Sequence, residues 1–93
     1  MITVITPRFR VTQNSTILNI YHADKGQGLS RHDHTNDHIT ICSSGKCIVR
    51  KENKELIMTK DTQPVNLIAN EWHEVEALED NTVFINVFAI AKA

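Results

Sequence analysis

Short apolar runs rich in β-branched residues recur along the whole chain, and polar clusters separate them about every eight to twelve residues. No segment of about eleven residues or more shows the 3.6-residue period of an amphipathic helix. The last run could also form a buried helix, but its length and its Val, Phe and Ile content favour a strand. Many short strands with no helices between them predict an antiparallel all-β sandwich or barrel. The predicted strands cover residues 2–5, 16–21, 29–34, 38–42, 46–51, 55–60, 64–69, 72–78 and 82–91.

The turns between these runs must be made largely without glycine. The chain has only 3 Gly and 2 Pro, so Asn, Asp and Ser are expected to form most turns. Residues 52–54 predict one hairpin tip, and residues 43–46 predict a second. The second hairpin would place Cys42 opposite Cys47, where a disulfide would be strained. In an intracellular protein two free, buried thiols are the expected state.

Length and charge restrict the protein further. A chain of 93 residues can build one small core, so we expect a single domain over residues 1–93. Lys and Arg number 10 against 11 Asp and Glu, a net charge of −1, which argues against a nucleic-acid partner. No apolar run approaches the roughly 20 residues of a membrane span. The N-terminus lacks the pattern of a signal peptide, so we expect a cytoplasmic protein.

Four of the five histidines form the main chemical signal of the sequence. His32 and His34 lie two apart in a predicted strand, so their side chains project to the same side. His38 can open the next strand and face the same space, and His73 shares a face with Val75 and Ala77. A lone strand histidine is usually a surface or hydrogen-bonded residue. Four in phase on three strands predict a divalent transition-metal site.

The spacing Gly26-x5-His32-x-His34-x3-His38-x6-Gly45 resembles the first sequence motif of the cupins, G(x)5HxH(x)3–4E(x)6G. The motif covers residues 26–45 and departs from the family pattern at one position, His38, where cupins usually carry Glu. This spacing is specific, and it is the main basis of the resemblance.

The second cupin motif, G(x)5PxG(x)2H(x)3N, is matched less well by residues 62–77. His73 is in place, whereas Ile68, Asn70 and Ala77 stand where the motif has Pro, Gly and Asn. Asn70 is a tolerable replacement for Gly, because Asn also adopts the left-handed backbone conformation. The resemblance therefore rests on the first motif and on His73, and it covers roughly residues 16–90.

The cupin resemblance implies an antiparallel double-sheet β-barrel, a jelly roll, with one metal at its mouth. The implied metal ligands are His32, His34, His38 and His73. With neutral His38 replacing a carboxylate, the site keeps the full metal charge and would be a stronger Lewis acid. Imidazole ligands also favour Fe, Ni, Cu or Zn over Mn. A five- or six-coordinate metal would have an open position, whereas tetrahedral zinc with four histidines would be closed and structural. The sequence leaves both arrangements open.

The resemblance also implies function. Small cupins include metal-dependent dioxygenases, lyases and isomerases that act on small oxygenated or anionic metabolites. Two alternatives stay open: a non-catalytic module that binds a sugar acid or another small ligand, and a barrel whose metal is only structural. No catalytic base is placed in phase with the histidines, and the chain has no nucleophile arrangement or phosphate loop. We also expect a homodimer, because so small a barrel leaves sheet edges that can pair between chains.

Strand parity gives further candidates for the pocket. Thr40 and Cys42 share the parity of His38, and Asn86 is a polar residue on a face with two aromatic residues. The aromatic residues are more often core or dimer-interface residues than ligand contacts. The pocket candidates are Thr40, Cys42, Phe84, Asn86 and Phe88. By the same alternation Arg31, Asp33 and Asp37 face away and are expected to be solvated, and His22 is left as a surface or core polar residue.

Overall fold

The computed structural model describes residues 1–89, which form ten strands and no helix. Within these residues there is accordingly no helix of the length and hydropathy needed to cross a bilayer. The all-β fold class is confirmed. The strands are β1 (Thr3–Val4), β2 (Phe9–Gln13), β3 (Thr16–Ala23), β4 (Gln27–His32), β5 (His38–Ser44), β6 (Cys47–Lys51), β7 (Lys54–Met58), β8 (Val65–Leu67), β9 (His73–Ala77) and β10 (Thr82–Ala89).

The strands form two five-stranded sheets whose inner faces enclose the core. The order is β1-β4-β9-β6-β7 in the first sheet and β2-β3-β10-β5-β8 in the second. All pairings are antiparallel except the short parallel pair of β1 with β4. This arrangement is the double-sheet, antiparallel-rich barrel that the sequence predicts.

The two-residue alternation of the sequence sets which side chains are buried. On β9 the buried side chains are His73, Val75 and Ala77, as the sequence predicts. On β10 they are Thr82, Phe84 and Asn86. The inner face of β9 is therefore apolar apart from His73 at its start, whereas on β10 the polar residues Thr82 and Asn86 lie on either side of Phe84.

The predicted hairpin at residues 43–46 is wrong. β5 pairs with β10 and β8, whereas β6 pairs with β7 and β9 in the other sheet. The chain instead passes from one sheet to the other at Gly45, whose φ is +74°. Cys42 and Cys47 are consequently not cross-strand neighbours, although both are buried free thiols, as expected. The residue types of a turn do not distinguish a hairpin from a connection between two sheets, because both need a tight reversal of the chain.

One strand was not predicted, and one prediction extends past the described residues. β2 lies at the edge of the second sheet, pairs with β3 and has all five residues exposed. A strand that buries no side chain gives little hydrophobic signal, although its Phe9 and Val11 do alternate with polar residues. Residues 90 and 91, the end of the last predicted run, lie outside the described residues.

Asparagine makes several of the turns, in agreement with the scarcity of glycine. Asn14, Asn53, Asn70 and Asn81 have φ between 56° and 65°, a conformation that Asn tolerates better than most residues. Asn53 sits in the β6–β7 hairpin, where Lys51 pairs with Lys54. Asn70 has the left-handed conformation expected where the second cupin motif carries Gly.

Candidate metal centre

Three histidines meet where β4 and β9 lie side by side. His32, the last residue of β4, is directly opposite His73, the first residue of β9. The strand predicted over residues 29–34 includes His34, but β4 ends at His32, two residues before it. The register of β4 shifts between Leu29 and His32, so strict two-residue alternation along β4 does not by itself account for the inward positions of His32 and His34.

The loop that follows β4 positions His34. The backbone N–H of Asn70 donates a hydrogen bond to the carbonyl oxygen of His34 at 2.7 Å. The N–H of Ala69 donates to Oδ1 of Asp37 at 2.8 Å. Asp37 is exposed, as expected, but it also ties this loop to the segment that leads into His73. Two segments far apart in sequence are thereby held together at the site.

The imidazole nitrogens of the three residues converge. Nε2 of His73 lies 3.2 Å from Nε2 of His32 and 3.1 Å from Nε2 of His34. A metal bound about 2.1 Å from each nitrogen would separate two ligand nitrogens by about 3.0 Å at a right angle and by about 3.4 Å at the tetrahedral angle. The observed spacing falls between these values, so the group has the dimensions of a metal site.

In His32 and His73, a hydrogen bond at Nδ1 shows that Nε2 is the nitrogen free to bind a metal. Nδ1 of His32 is 2.7 Å from the carbonyl oxygen of Ser30, and Nδ1 of His73 is 3.2 Å from that of Glu71. Because a carbonyl can only accept, each Nδ1 carries the proton and each Nε2 presents a lone pair. Two facing lone pairs repel each other, so the arrangement of His32 and His73 fits a cation bound between them.

The environment also keeps the histidines neutral, as metal binding requires. Burial, together with the neighbouring His32 and His34, lowers the pKa of His73 to about 4. Burial, reinforced by His38 and His32, lowers the pKa of His34. Burial is also the main cause that lowers the pKa of His38. These three rings are therefore available as neutral ligands at neutral pH.

His38 lies beside this group on the opposite sheet. It is buried at the start of β5, and its ring is 3.7 Å from that of His34 and 4.3 Å from that of Phe88, centroid to centroid. Its Nδ1 is 2.9 Å from the carbonyl oxygen of Asn36, which leaves Nε2 free. The cluster of ligand atoms within 4.8 Å of one another consists of His32, His34 and His73. His38 as fourth ligand stays a prediction.

A cavity of about 330 Å³ opens beside the histidines, between the two sheets. Its volume is at the small end of the range for ligand pockets. In the described part of the chain, no residue that lines it is Lys, Arg, Asp or Glu. The lining residues are Val4, Asn19, Tyr21, Leu29, Ser30, His32, His34, His38, Asn86 and Phe88.

Solved structures of other proteins have the same architecture. The structure of KdgF from Halomonas sp. matches with a TM-score of 0.78 and 18% identity, over 88% of this chain and 76% of that one. A cupin superfamily protein from Desulfitobacterium hafniense matches with a TM-score of 0.74 and 8% identity, over 94% and 83% of the two chains. The chain has the cupin fold. No protein-family model and no curated protein matches the sequence.

A further neighbour with the cupin fold carries an activity in its name. This protein of Ralstonia eutropha, provisionally named a mannose-6-phosphate isomerase, matches with a TM-score of 0.74 and 16% identity, over 94% and 84% of the two chains. At such identities the likeness concerns the fold, so the chemistry of this chain must be argued from its own residues.

The predicted pocket residues occupy three levels of the cupin barrel. Asn86 and Phe88 line the cavity. Thr40 is fully buried next to Asn86, its register partner on β5. Cys42 and Phe84 pair in register one step deeper and belong to the apolar core. Arg31 is exposed and lies 3.9 Å over the ring of Trp72, as a cation–π contact.

Asn19 and Tyr21 are cavity residues that sequence analysis did not select. Both lie on the inner face of β3, and Tyr21 stacks on Phe84 with centroids 4.8 Å apart. A usable signal for Asn19 existed, since it is a polar residue at the same strand parity as buried Ile17 and Tyr21. The same reasoning selected Asn86 on β10.

Several polar atoms at the cavity are buried without a hydrogen-bond partner. Among the described residues, these atoms include Oδ1 of Asn19, Oδ1 of Asn86, Oγ1 of Thr40 and Nδ1 of His34. An unpartnered buried polar group costs about 1–3 kcal/mol of stability. Such a cluster beside a cavity is typical of a binding site, where a ligand or ordered water supplies the missing partners.

Proposed function

We propose that the chain is a small metal-dependent enzyme with the cupin fold, which acts on a small oxygenated or anionic metabolite. The observation that carries this proposal is the convergence of three imidazoles beside an open cavity, in which Nε2 of His32 and Nε2 of His34 each lie within 3.2 Å of Nε2 of His73. A bound metal would supply Lewis acidity, which polarises a carbonyl or carboxylate oxygen. A dioxygenase, a lyase or an isomerase would each use such a site.

The donor set supports a limited choice of metals. The clustered ligands are all imidazole nitrogens, which suit Fe, Ni, Cu and Zn better than Mn. We propose one such ion per chain, held by the three clustered histidines, with His38 as the fourth ligand. The pocket beside them supports an open coordination position over a closed structural zinc site.

Tyr21 is the cavity residue best suited to donate a proton or hydrogen bond to the ligand. Burial raises the pKa of its phenol, partly offset by the charge of Arg10 and a hydrogen bond with Asn19. The phenol therefore stays protonated at neutral pH and acts as a donor. Its stacking on Phe84 fixes the ring in the cavity wall.

One observation favours a second candidate function, a non-catalytic binding module. Among the described lining residues of the cavity, no carboxylate is placed to abstract a proton. A sugar acid or another small ligand would then bind at the metal without turnover. Calorimetry with a panel of sugar acids and hydroxy acids, followed by product analysis, separates the two functions.

The test of the proposed function is metal content of untagged protein purified without added metal. We expect about one Fe, Ni, Cu or Zn per chain, loss of that metal in His73→Ala and partial loss in His38→Ala. His22→Ala is the matched control, because His22 is exposed on β3 and outside the cluster. Metal-free wild type, even after reconstitution with each metal, would contradict the proposal.

We further propose a homodimer, formed by the outer face of the second sheet. Two rows of apolar side chains run across four strands of this face, and the side chains of Phe9, Val11, Ile39 and Ile41 are strongly exposed. A second copy would cover this face with apolar side chains of its own. The rows, in register, are Phe9–Ile20–Ile85–Ile41 and Val11–Leu18–Val87–Ile39.

Analytical ultracentrifugation tests the homodimer. We expect a dimer at micromolar concentration and a monomer in Ile41→Lys, which introduces a charge into this apolar face. A wild-type monomer would contradict the proposal. A cytoplasmic location also stays a proposal, supported by the two buried free thiols of Cys42 and Cys47.

A further inference from the structure

Three polar side chains form a continuous row on the inner face of the second sheet, and two of them, Asn19 and Asn86, line the cavity. Asn86 on β10 is the register partner of Asn19 on β3 and of Thr40 on β5. Directly paired residues on adjacent strands have Cβ atoms about 4.5–5.5 Å apart and face the same side. We call Asn19, Asn86 and Thr40 the polar row.

Each residue of the polar row has a buried side-chain oxygen that lacks a hydrogen-bond partner among the residues the structure describes. Asn86 is 4% exposed and Thr40 is 0% exposed. Since nearly all buried polar groups are satisfied in folded proteins, three adjacent exceptions indicate that something in the cavity bonds to them.

The apolar residues around the row limit what that ligand can be. In the register, Tyr21, Phe84 and Cys42 form the layer on one side, and Ile17 and Phe88 lie on the other. No Lys or Arg lines the described cavity, so a phosphate group would find no cation other than the metal. The row itself offers amide and hydroxyl groups, which both donate to and accept from hydroxyl groups.

We propose that the polar row recognises adjacent hydroxyl groups of a small polyhydroxylated, non-phosphorylated ligand. This inference rests on the proposed function in one respect: while the hydroxyl groups contact the polar row, an oxygen at the other end of the ligand would bind at the histidine cluster. Asn19 and Asn86 line the cavity and contact the hydroxyl groups, while Thr40 lies next to Asn86 as its register partner on β5. The ligand class is thus a sugar acid or a keto sugar.

The test compares gluconate with hexanoate, a carboxylate of the same chain length without hydroxyl groups. Calorimetry on the metal-loaded full chain is expected to show gluconate binding at least about tenfold more tightly, because hexanoate leaves the row unpaired. Asn86→Leu is expected to abolish this preference while metal content stays unchanged. Asn66→Leu is the matched control, since Asn66 is exposed on the edge strand β8, and it should retain the preference.

Three results would overturn the inference: equal binding of the two acids, no binding of either, or a preference that survives in folded, metal-loaded Asn86→Leu. Failure of the proposed function is a separate result, because it appears as wild-type protein that binds no metal. In that case sorbitol binding to the metal-free chain tests the row alone. Binding of sorbitol that Asn86→Leu removes would support the inference, and its absence in wild type would refute it.

Discussion

The two ends of the barrel interior are built on the same strands but differ in chemistry. At one end Phe84, Val75 and Met58 are fully buried, or nearly so, in a continuous apolar cluster. At the other end lie His73, two residues before Val75 on β9, and Asn86, two residues after Phe84 on β10. This end contains the converging nitrogens and the unpartnered oxygens. On each strand, residues that stabilise the barrel thus lie only two positions from residues that we propose bind the metal or the ligand.

This difference has a physical cause in what each end does for folding. Burial of apolar surface stabilises the fold at about 25 cal/mol per Å². Neutral imidazoles and amides without partners have the opposite effect until a metal and a ligand bind. The predictions below test whether the apolar end carries stability and the polar end carries binding.

The largest effect is expected at the apolar end. Phe84→Ala removes a fully buried ring that stacks on Tyr21, so the free energy of unfolding should fall by about 3–5 kcal/mol. Urea denaturation of the metal-free protein measures it. Ile57→Ala is the control, because Ile57 is 50% exposed on β7 of the first sheet, away from the proposed dimer face, and should change stability little. Similar losses in the two variants would show that Phe84 is not part of a rigid core.

Removal of the metal should lower the stability of the protein only through the histidines at the polar end. At a free metal concentration about 100 times the dissociation constant, binding adds about 2.7 kcal/mol to stability. For a domain of this size, chelation should then lower Tm by about 10–20 °C. The same chelator should leave the Tm of His73→Ala nearly unchanged. A Tm of wild type that does not respond to chelation would contradict a metal bound at this end.

A polar-row substitution should stabilise the metal-free protein. Asn86→Leu removes a buried oxygen that has no partner, so we expect a gain of about 1 kcal/mol in the free energy of unfolding. The urea midpoint reports this gain, with Asn66→Leu as the surface control. A loss of stability instead would mean that the Asn86 amide is already satisfied within the fold.

Acid should also destabilise the metal-free protein through the polar end. Because burial lowers the pKa of His73 from 6.5 to about 4, the unfolded chain binds a proton at this residue before the folded chain does. Stability of the metal-free protein should therefore be fully present above about pH 6.5 and decline as pH falls to about pH 4. Denaturant midpoints across this range measure the decline. His73→Gln should flatten it, and a decline that persists unchanged in this variant would contradict the assignment to His73.

Much of the site was predictable because strand alternation and motif spacing are local properties of the sequence. Parity grouped His73 with Val75 and Ala77, and Asn86 with its aromatic neighbours, and the first cupin motif identified His32, His34 and His38. The position of His34 depends on a loop held by Asn70, a contact between distant segments that alternation cannot reveal. The polar row could not be predicted either, because it depends on the strand order β3-β10-β5.

The errors in the fold have similar causes. Residues 43–46 have the composition of a hairpin, but the partner of each flanking strand is decided by long-range pairing. β2 buries no side chain, so the hydrophobic pattern that identified the other strands was weak there. Local chemistry thus predicts where the chain turns and which side of a strand is buried. Sheet assignment depends on contacts that the pattern does not encode.

The most direct test of the account is metal-edge X-ray absorption spectroscopy on the reconstituted, untagged protein. The account predicts a five- or six-coordinate ion with at least three imidazole ligands and an exchangeable position, and a spectrum that changes when gluconate is added. A closed tetrahedral zinc, or a spectrum indifferent to the ligand, would show that the polar end of the barrel is structural like the apolar end.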